Sequence, residues 1–265
     1  MGRIQDKVAV VTGGGDGIGR AVCRRFAKEG AKVLVAELNP EDGKRVADEL
    51  VQEFGADARF VQTDVGQRED NVAMIDHARE SWGRVDILVN NAWGGGTLGR
   101  VENKALETMA RGMDVGFYGP LWAMQYVFPI MKEQGWGRVI NLCSLNGVNA
   151  HMGSLEYNCA KEALRTLTRT AAREWAGTGI TCNVICPGAK TASSRRVEQM
   201  MPELIREAEA ANPMGRLGDP EADIAPVALF LASDDCQYLT GNTLFADGGS
   251  HINGASWSPD LPEDA

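Results

Sequence analysis

The sequence predicts an α/β fold built on a doubly wound sheet of seven parallel strands, in a three-layer sandwich of one domain. Short β-branched runs alternate with longer amphipathic stretches, as is typical of βαβ units. The 265 residues suit one large domain with a sizeable core and leave little room for a second one. Ligands of such a fold bind at the carboxyl ends of its strands.

Each predicted element follows from this alternation. We expect strands at Lys7–Val11, Lys32–Ala36, Ala58–Gln62, Ile87–Val89, Val139–Leu142, Thr181–Ile185 and Asn242–Phe245. We expect helices near Gly17–Glu29, Glu41–Glu53, Asn71–Trp82, Glu102–Lys132, Glu156–Ala176 and Glu221–Ala232. Two segments fall outside the pattern: residues 189–215, expected as a mobile lid or a plain surface excursion, and a polar tail at 251–265 that is either flexible or packed on another subunit.

Composition narrows the classes of partner. A net charge of -9 argues against nucleic-acid and anionic-membrane binding, which favour clustered Lys and Arg. We find neither a signal peptide nor an apolar run long enough to span a membrane, so a cytoplasmic location is expected. The six cysteines form no CxxC pair or zinc-type spacing, which predicts no metal site and indicates buried free thiols.

A glycine-rich segment, TGGGDGIGR at 12–20, follows the first predicted strand and opens the first predicted helix. Its spacing is T-G-x-x-x-G-x-G, carried by Gly13, Gly17 and Gly19, and differs from the common G-x-G-x-x-G fingerprint. Glycine permits positive φ and close backbone approach, and free N–H groups at a helix start favour an anion. The segment therefore predicts a site for the pyrophosphate of a dinucleotide, as in Rossmann-type folds.

The end of the second strand indicates which dinucleotide is bound. Glu37 lies eighteen residues beyond Gly19, where an acidic residue grips the ribose 2′-hydroxyl and repels the extra phosphate of NADP. Asp16 adds a second negative charge, and Leu38 offers no compensating cation. We therefore expect NAD as the cofactor.

Tyr157 and Lys161 lie four residues apart at the start of a predicted helix, so they share one helix face. A cation near the phenol stabilises the phenolate, which would make Tyr157 a general acid/base. Ser144 ends a strand thirteen residues earlier, and its hydroxyl could polarise a carbonyl or bind an alcohol. A lone YxxxK is weak evidence, and its position relative to Ser144 strengthens it.

With these motifs the sequence resembles the short-chain dehydrogenase/reductase family in its shorter, single-domain form. The resemblance spans roughly residues 5 to 250. It is carried by TGGGDGIG at 12–19, TDV at 63–65, VNNA at 89–92, Ser144, Tyr157 with Lys161, NVICPG at 183–188, NPMGRLGDPEADIA at 212–225 and LTGNTLFADGG at 239–249.

The resemblance implies hydride transfer between a nicotinamide and a carbon held by Ser144 and Tyr157. It implies that Lys161 binds the nicotinamide ribose and tunes Tyr157. The candidate cofactor-binding residues are Gly13, Gly15, Asp16, Gly17, Ile18, Gly19, Glu37, Leu38, Asp64, Val65, Asn91, Ala92, Tyr157, Lys161, Pro187, Gly188 and Thr191. The candidate substrate-pocket residues are Trp93, Leu145, Asn146, Val148, Asn149, His151 and Met152.

Three departures from the family pattern concern the site. Trp93 replaces a glycine of N-N-A-G, and either walls the substrate pocket or tilts its loop outward. Gly116 stands where an asparagine usually completes the catalytic group, which predicts retained activity with an altered proton relay and tolerance of Gly116→Asn. Ala192 replaces a carboxamide-binding threonine, for which Thr191 or Ser193 could substitute.

The leading hypothesis is an NAD-dependent oxidoreductase acting on a secondary alcohol or the matching ketone, with a lipophilic ring or acyl substrate. Nearby methionines, including Met152 and Met200, are consistent with such a substrate or with plain packing. The alternatives are a 3-oxoacyl-carrier-protein reductase and a non-catalytic nucleotide-binding scaffold. The resemblance also implies a homo-oligomer, a dimer or tetramer, joined through the long helices.

Overall fold

Seven parallel strands form one sheet in the computed structural model, which describes residues 2–191 and 202–252. Their order is β3-β2-β1-β4-β5-β6-β7, and every neighbouring pair is parallel. This confirms the predicted seven-stranded, doubly wound sheet. The strands are β1 Val8–Thr12, β2 Lys32–Glu37, β3 Ala58–Gln62, β4 Ile87–Asn90, β5 Gly137–Leu142, β6 Ile180–Pro187 and β7 Thr243–Ala246.

Helices connect the strands. Among the described residues the α-helices are α1 Gly17–Lys28, α2 Pro40–Phe54, α3 Arg68–Trp82, α4 Leu106–Met113, α5 Gly119–Gln134, α6 Leu145–Val148, α7 Leu155–Trp175, α8 Pro202–Ala210 and α9 Ala225–Ala232. Short 3-10 turns lie at Val101–Asn103, Ala176–Thr178, Asp234–Cys236 and Ser250–Ile252, and π turns at Asp114–Tyr118 and Pro220–Ile224.

The helices cover both faces of the sheet. All five residues of β1 are buried, and their side chains alternate between the two faces of the sheet, as in any strand. Val11 belongs to an apolar cluster with Phe26 of α1, whereas Val10 belongs to a second cluster with Ile75 of α3. The predicted three-layer sandwich is therefore confirmed.

One predicted helix, Glu102–Lys132, is wrong as a single element. The chain forms a 3-10 turn, then α4, the π turn at Asp114–Tyr118 and α5. A side chain at Gly119 would bring its Cβ within 2.4 Å of the Val65 carbonyl oxygen. The glycines of this stretch thus let the chain approach its neighbours closely and interrupt a regular helix, which the apolar pattern alone did not indicate.

Other expectations concern single residues and the ends of the chain. Five of the six free cysteines are buried as expected, and Cys159 is exposed. In the described ranges, none of the helices has the length and apolar character needed to cross a bilayer. Residues 192–201 of the expected lid and 253–265 of the expected tail lie outside the described residues, as do Ala192, Ser193 and Met200.

Candidate active site

The glycine-rich loop forms the tight connection between β1 and α1. Gly13 and Gly17 have positive φ values of 63° and 54°, a conformation that glycine adopts without strain. A Cβ at Gly19 would lie 2.0 Å from the Gly13 carbonyl oxygen, so the helix start packs directly on the loop. Each glycine of the T-G-x-x-x-G-x-G spacing is therefore required, either by a positive φ or by close backbone packing.

A cleft of about 300 Å³ opens at the carboxyl ends of the strands, beside this loop. A Cβ on Gly17 would project into open space, with Thr191 Cβ as the nearest atom at 4.0 Å. The cleft thus leaves room for a phosphate at the N-terminus of α1. Its lining residues are Gly13, Asp16, Gly17, Ile18, Glu37, Leu38, Thr63, Asp64, Val65, Asn91, Ala92, Trp93, Gly94, Arg111, Val115 and Thr191.

Glu37 is held rigidly at one end of the cleft. Its carboxylate accepts hydrogen bonds from the backbone N–H groups of Gly15 at 3.1 Å, Leu38 at 2.8 Å and Asn39 at 3.1 Å. The carboxylate therefore occupies the position where these three donors could otherwise bind an anion. Gly15, predicted to contact cofactor, instead donates to Glu37 and does not border the cleft.

Asp64 lies farther along the cleft and is paired with a residue that the sequence analysis missed. The Arg111 guanidinium of α4 contacts both carboxylate oxygens of Asp64, at 2.9 and 3.1 Å, and the Gly66 N–H donates to one of them at 2.9 Å. Arg111 borders the cleft. The pair joins positions 47 residues apart, so spacing along the chain could not reveal it.

Asn91 ties the loop after β4 to the glycine-rich loop. Its side-chain amide donates to the Thr12 and Gly13 carbonyls at 2.9 and 3.0 Å. Its backbone N–H and that of Ala92 donate to the Thr12 hydroxyl. Asn91 thus borders the cleft and also fixes the loop that forms its floor.

The structure brings Ser144, Tyr157 and Lys161 together at the end of β5. Ser144 is the N-cap of α6 and accepts a hydrogen bond from the Asn146 N–H at 3.1 Å. Tyr157 lies in the first turn of α7, and Lys161 follows one turn later. The buried Lys161 ammonium donates to the Leu142 carbonyl at 2.7 Å, which anchors α7 to the end of β5.

Burial shifts Tyr157 and Lys161 toward their neutral forms. Burial raises the pKa of Tyr157, and the hydrogen bond with Ser144 acts in the opposite direction. Burial lowers the pKa of Lys161. Both shifts favour the uncharged side chains, and pKa values perturbed in this way are common at functional sites.

Trp93 lies inside the site. Its ring meets that of Tyr157 edge to face, with centroids 4.7 Å apart, and the Lys161 ammonium lies 5.7 Å from its centroid. The indole therefore packs against the reactive side chains, and its role as a wall of the substrate pocket stays a prediction. Trp93 borders both the cleft and the reactive side chains.

The remaining predicted pocket residues lie on α6 and in the segment that follows it. Asn149, His151 and Met152 are exposed, Met152 by 97%. The His151 carbonyl accepts a hydrogen bond from the Asn158 side-chain amide at 2.8 Å, which joins this segment to α7. The other members, Leu145, Asn146 and Val148, are the residues of α6 itself.

Two predicted cofactor-binding residues, Pro187 and Gly188, lie at the end of β6. Gly188 borders a second cavity of about 400 Å³ and packs on Asp247, with its Cβ position 2.9 Å from the Asp247 Cα. Pro187 is the last residue of β6. Lys190, three residues beyond Pro187, forms an ion pair with Glu209 at 2.9 Å.

Comparison with known proteins gives similarities along nearly the whole chain. A family model described as enoyl-(acyl carrier protein) reductase matches residues 13–251. The 2,5-dichloro-2,5-cyclohexadiene-1,4-diol dehydrogenase of Sphingobium indicum is 36% identical over 249 residues, covering 93% of this chain and 97% of that protein. The 12alpha-hydroxysteroid dehydrogenase of a Clostridium species is 33% identical over 255 residues, covering 94% and 98%.

A solved structure adds a similarity in three dimensions. The protein from Beutenbergia cavernae, described as a candidate NAD(P)-dependent gluconate 5-dehydrogenase with NADP bound at low occupancy, has a TM-score of 0.88 and 32% sequence identity. The alignment covers 94% of this chain and 98% of that one. Similarity in sequence and similarity in structure therefore extend over the same region.

Proposed function

Because this chain belongs to the short-chain dehydrogenase/reductase family, we propose that it transfers a hydride between NAD and a secondary alcohol or the matching ketone. The observation that carries the proposal is the meeting of Ser144, Tyr157 and Lys161 at the end of β5, beside the cleft at the glycine-rich loop. Membership of the family makes the chain an oxidoreductase. The cofactor, the substrate class and the residue roles are the proposal.

The cleft fits a dinucleotide cofactor. Gly13 and Gly17 would hold its pyrophosphate, because the positive φ at each and the open space over Gly17 leave the N-terminus of α1 accessible. Glu37 would accept hydrogen bonds from the adenosine ribose. When bound, the cofactor supplies a nicotinamide ring that accepts or donates the hydride.

Tyr157 is the proposed general acid/base. During oxidation its phenolate takes the proton from the alcohol oxygen, and during reduction its phenol returns a proton to the developing alkoxide. Ser144 places the substrate oxygen through its hydroxyl. Both groups act on the substrate oxygen. During oxidation the proton leaves this oxygen, and the hydride leaves the carbon bonded to it.

Lys161 favours the phenolate form of Tyr157. Burial alone raises the pKa of Tyr157 and would keep the phenol protonated. An ammonium on the next turn of α7 favours the phenolate by about 1.4 kcal/mol for each unit by which it lowers the phenol's pKa. The Leu142 carbonyl keeps that ammonium in place.

The fixed carboxylate of Glu37 supports a preference for NAD. Three backbone N–H groups already point at this carboxylate, and a 2′-phosphate would have to displace it or lie against it. The Beutenbergia cavernae protein has NADP bound at low occupancy, so similarity alone does not assign NAD to this chain. Steady-state assays with NAD⁺ and NADP⁺ test the assignment.

A ring-bearing, lipophilic alcohol is the proposed substrate class. The indole of Trp93 stands beside the Tyr157 ring and offers an apolar surface next to the reacting oxygen. Two relatives carry the names of dehydrogenases for a hydroxysteroid and a chlorinated cyclohexadiene diol. Both names describe ring-bound hydroxyl groups.

The proposal is tested by NADH formation from purified protein, NAD⁺ and a panel of sterols, cyclic alcohols and 3-hydroxyacyl compounds. We expect turnover of a cyclic alcohol, and a loss of kcat of about 10²- to 10⁴-fold in Tyr157→Phe, since general acid–base catalysis contributes that much. Unchanged turnover in Tyr157→Phe on a good substrate would contradict the assignment. Retained NAD⁺ binding by the variant is the control for folding.

A second candidate is reduction of a 3-oxoacyl group on a carrier protein. The matching family model is described as an enoyl-(acyl carrier protein) reductase, which would also act on an acyl group attached to a carrier protein. A 3-oxoacyl reductase would show NADPH-dependent reduction of a 3-oxoacyl thioester and little oxidation of cyclic alcohols. A non-catalytic scaffold would bind the dinucleotide and show neither reaction.

A further inference from the structure

Trp93 occupies space that would otherwise be filled from the π turn at Asp114–Tyr118. A Cβ on Gly116 would lie 2.8 Å from the Trp93 Cζ3 atom and 2.7 Å from the Ala160 Cβ. Carbon atoms do not approach this closely, so a side chain at 116 and the present indole exclude each other. The two unusual residues of the sequence thus form one structural unit, in which a side chain from the β4 loop replaces one from the π turn.

A second glycine makes room for the same ring. A Cβ on Gly96 would lie 3.2 Å from the Trp93 Cζ2 atom, which is closer than ordinary carbon contact. The indole therefore lies between Gly96 on its own loop and Gly116 on the π turn. A side chain at either position would push on the indole in its place beside Tyr157.

A buried ion pair holds the loop that carries Trp93. Lys104 Nζ lies 2.7 Å from Glu156 Oε2, and the two side chains are 3% and 1% exposed. The other Glu156 oxygen accepts from the Thr97 N–H at 2.8 Å, and Lys104 also donates to the Thr97 carbonyl. Glu156 directly precedes Tyr157, so this clamp of Lys104, Glu156 and Thr97 ties the Trp93 loop to the start of α7.

We propose that Trp93, seated on Gly116 and held by the clamp, is a positioning residue that orients the Tyr157 ring and shields the Tyr157–Lys161 pair from water. The proposal rests on the proposed function and adds a residue to it. The edge-to-face ring contact restricts the phenol, and the nearby ammonium lies within the range of a cation–π contact. Trp93 itself exchanges no proton.

The shielding has a predictable effect on acid–base behaviour. The groups facing the phenol are the Ser144 hydroxyl and Cys143 from the end of β5, Cys186 from β6, and Lys161 from its own helix. Burial is the largest influence on the pKa values of Tyr157, which it raises, and Lys161, which it lowers. Water admitted at position 93 would reverse both shifts, and each reversal favours the phenolate at lower pH.

The test compares the pH dependence of alcohol oxidation in the wild type, Trp93→Ala and Trp93→Phe, each saturated with NAD⁺. For Trp93→Ala we expect kcat to fall on the order of tenfold, since small misplacements at a reacting centre are costly. We also expect the alkaline rise in kcat/KM for the alcohol to move to lower pH. Trp93→Phe keeps an aromatic ring and should restore most of the rate and the wild-type pH profile.

Trp82→Ala is the matched control. Trp82 ends α3 and bonds Asp57 just before β3, at the amino ends of the strands and away from the site. It should leave the pH profile unchanged. A Trp93→Ala protein with wild-type kcat and pH profile would overturn the proposal, whereas a wild type that turns over none of the alcohols or ketones would overturn the proposed function.

The packing of the Trp93 indole against Gly116 can be tested separately, by an experiment that does not require catalytic activity. Gly116→Ala should lower Tm in the wild type and lower it less in the Trp93→Ala background, where only the Ala160 contact remains. Equal losses in both backgrounds would contradict the pairing of Trp93 with Gly116. This expectation also replaces the prediction, made from the family pattern, that Gly116→Asn is tolerated.

Discussion

The carboxylate of Glu37 shows how one residue can set cofactor preference through its own hydrogen bonds. The N–H groups of Gly15, Leu38 and Asn39 would form an anion site if the carboxylate were absent. Arg45 lies close by, since its guanidinium donates to the Gly15 carbonyl at 2.9 Å. The sequence predicted the acidic residue from its distance to the glycines, but not these donors.

Glu37→Ala is therefore predicted to improve the use of NADP⁺. The change removes a negative charge and frees three donors for a 2′-phosphate, so kcat/KM for NADP⁺ should rise on the order of tenfold, about 1.4 kcal/mol. The same change removes a ribose contact, and kcat/KM for NAD⁺ should fall. If the ratio of kcat/KM for NADP⁺ to kcat/KM for NAD⁺ stays at the wild-type value, Glu37 does not select between the two cofactors.

At the scale of elements, the clamp fixes the segment between β4 and α4 against α7. Its ion pair is almost completely buried, so removing one partner leaves an uncompensated charge. The sequence did not predict it, because Lys104 and Glu156 lie 52 positions apart in segments with no shared motif. Only the folded chain brings the loop across the start of α7.

Lys104→Met is predicted to lower the free energy of unfolding by about 3–5 kcal/mol, as is typical when a buried pair loses one member. Lys104→Met/Glu156→Gln should recover much of the loss, because the neutral amide still accepts from the Thr97 N–H. Urea unfolding of the three proteins measures this. A double variant as unstable as the single one would contradict the role of the unpaired charge.

The clamp also has a defined pH dependence. Burial works against ionisation of Glu156, but the hydrogen bonds from Lys104, its own backbone and Thr97 prevail and lower its pKa from the usual 4.5. A lowered pKa in the folded state gives stability that is fully present above the unfolded value and is lost as pH falls through the folded value. Stability from the clamp should therefore persist at neutral pH and disappear only below about 4.5.

The elements differ in how far sequence could predict them. Buried strands such as β1 are predictable because parallel strands between two helix layers read as continuous apolar runs. The break between α4 and α5 was missed because it depends on close contacts, such as that of Gly119 with Val65, which local periodicity does not encode. The same reason explains why Arg111 was missed and why Trp93 had two open interpretations.

At the scale of the molecule, the sheet order places the cleft where the connections change direction. β1 lies between β2 and β4, so the loops after β1 and β4 separate at the carboxyl edge and leave a crevice. Sequence predicted this position because motifs after the strands fall at one edge of a parallel sheet. The substrate side is less predictable, since it depends on loops whose packing the motifs do not specify.

Dinucleotide binding should stabilise the whole domain. At a concentration of NAD⁺ one hundred times its Kd the expected gain is about 2.7 kcal/mol, visible as a higher Tm. Gly17→Ala should abolish this shift, because its Cβ would enter the space proposed for the phosphate. Gly55→Ala is the control, since Gly55 also has positive φ but faces open space at the end of α2. This variant should keep the shift in Tm. Loss of the shift in both variants would exclude a local effect of Gly17.

Transfer of deuterium from the carbinol carbon of a labelled secondary alcohol to NAD⁺ tests the central claim most directly. The proposed chemistry predicts that the label appears in the NADH formed by the wild type, and that Tyr157→Phe forms labelled NADH more slowly by about 10²- to 10⁴-fold. NADH without deuterium, or equal rates of labelling in the two proteins, would contradict hydride transfer to a nicotinamide assisted by Tyr157.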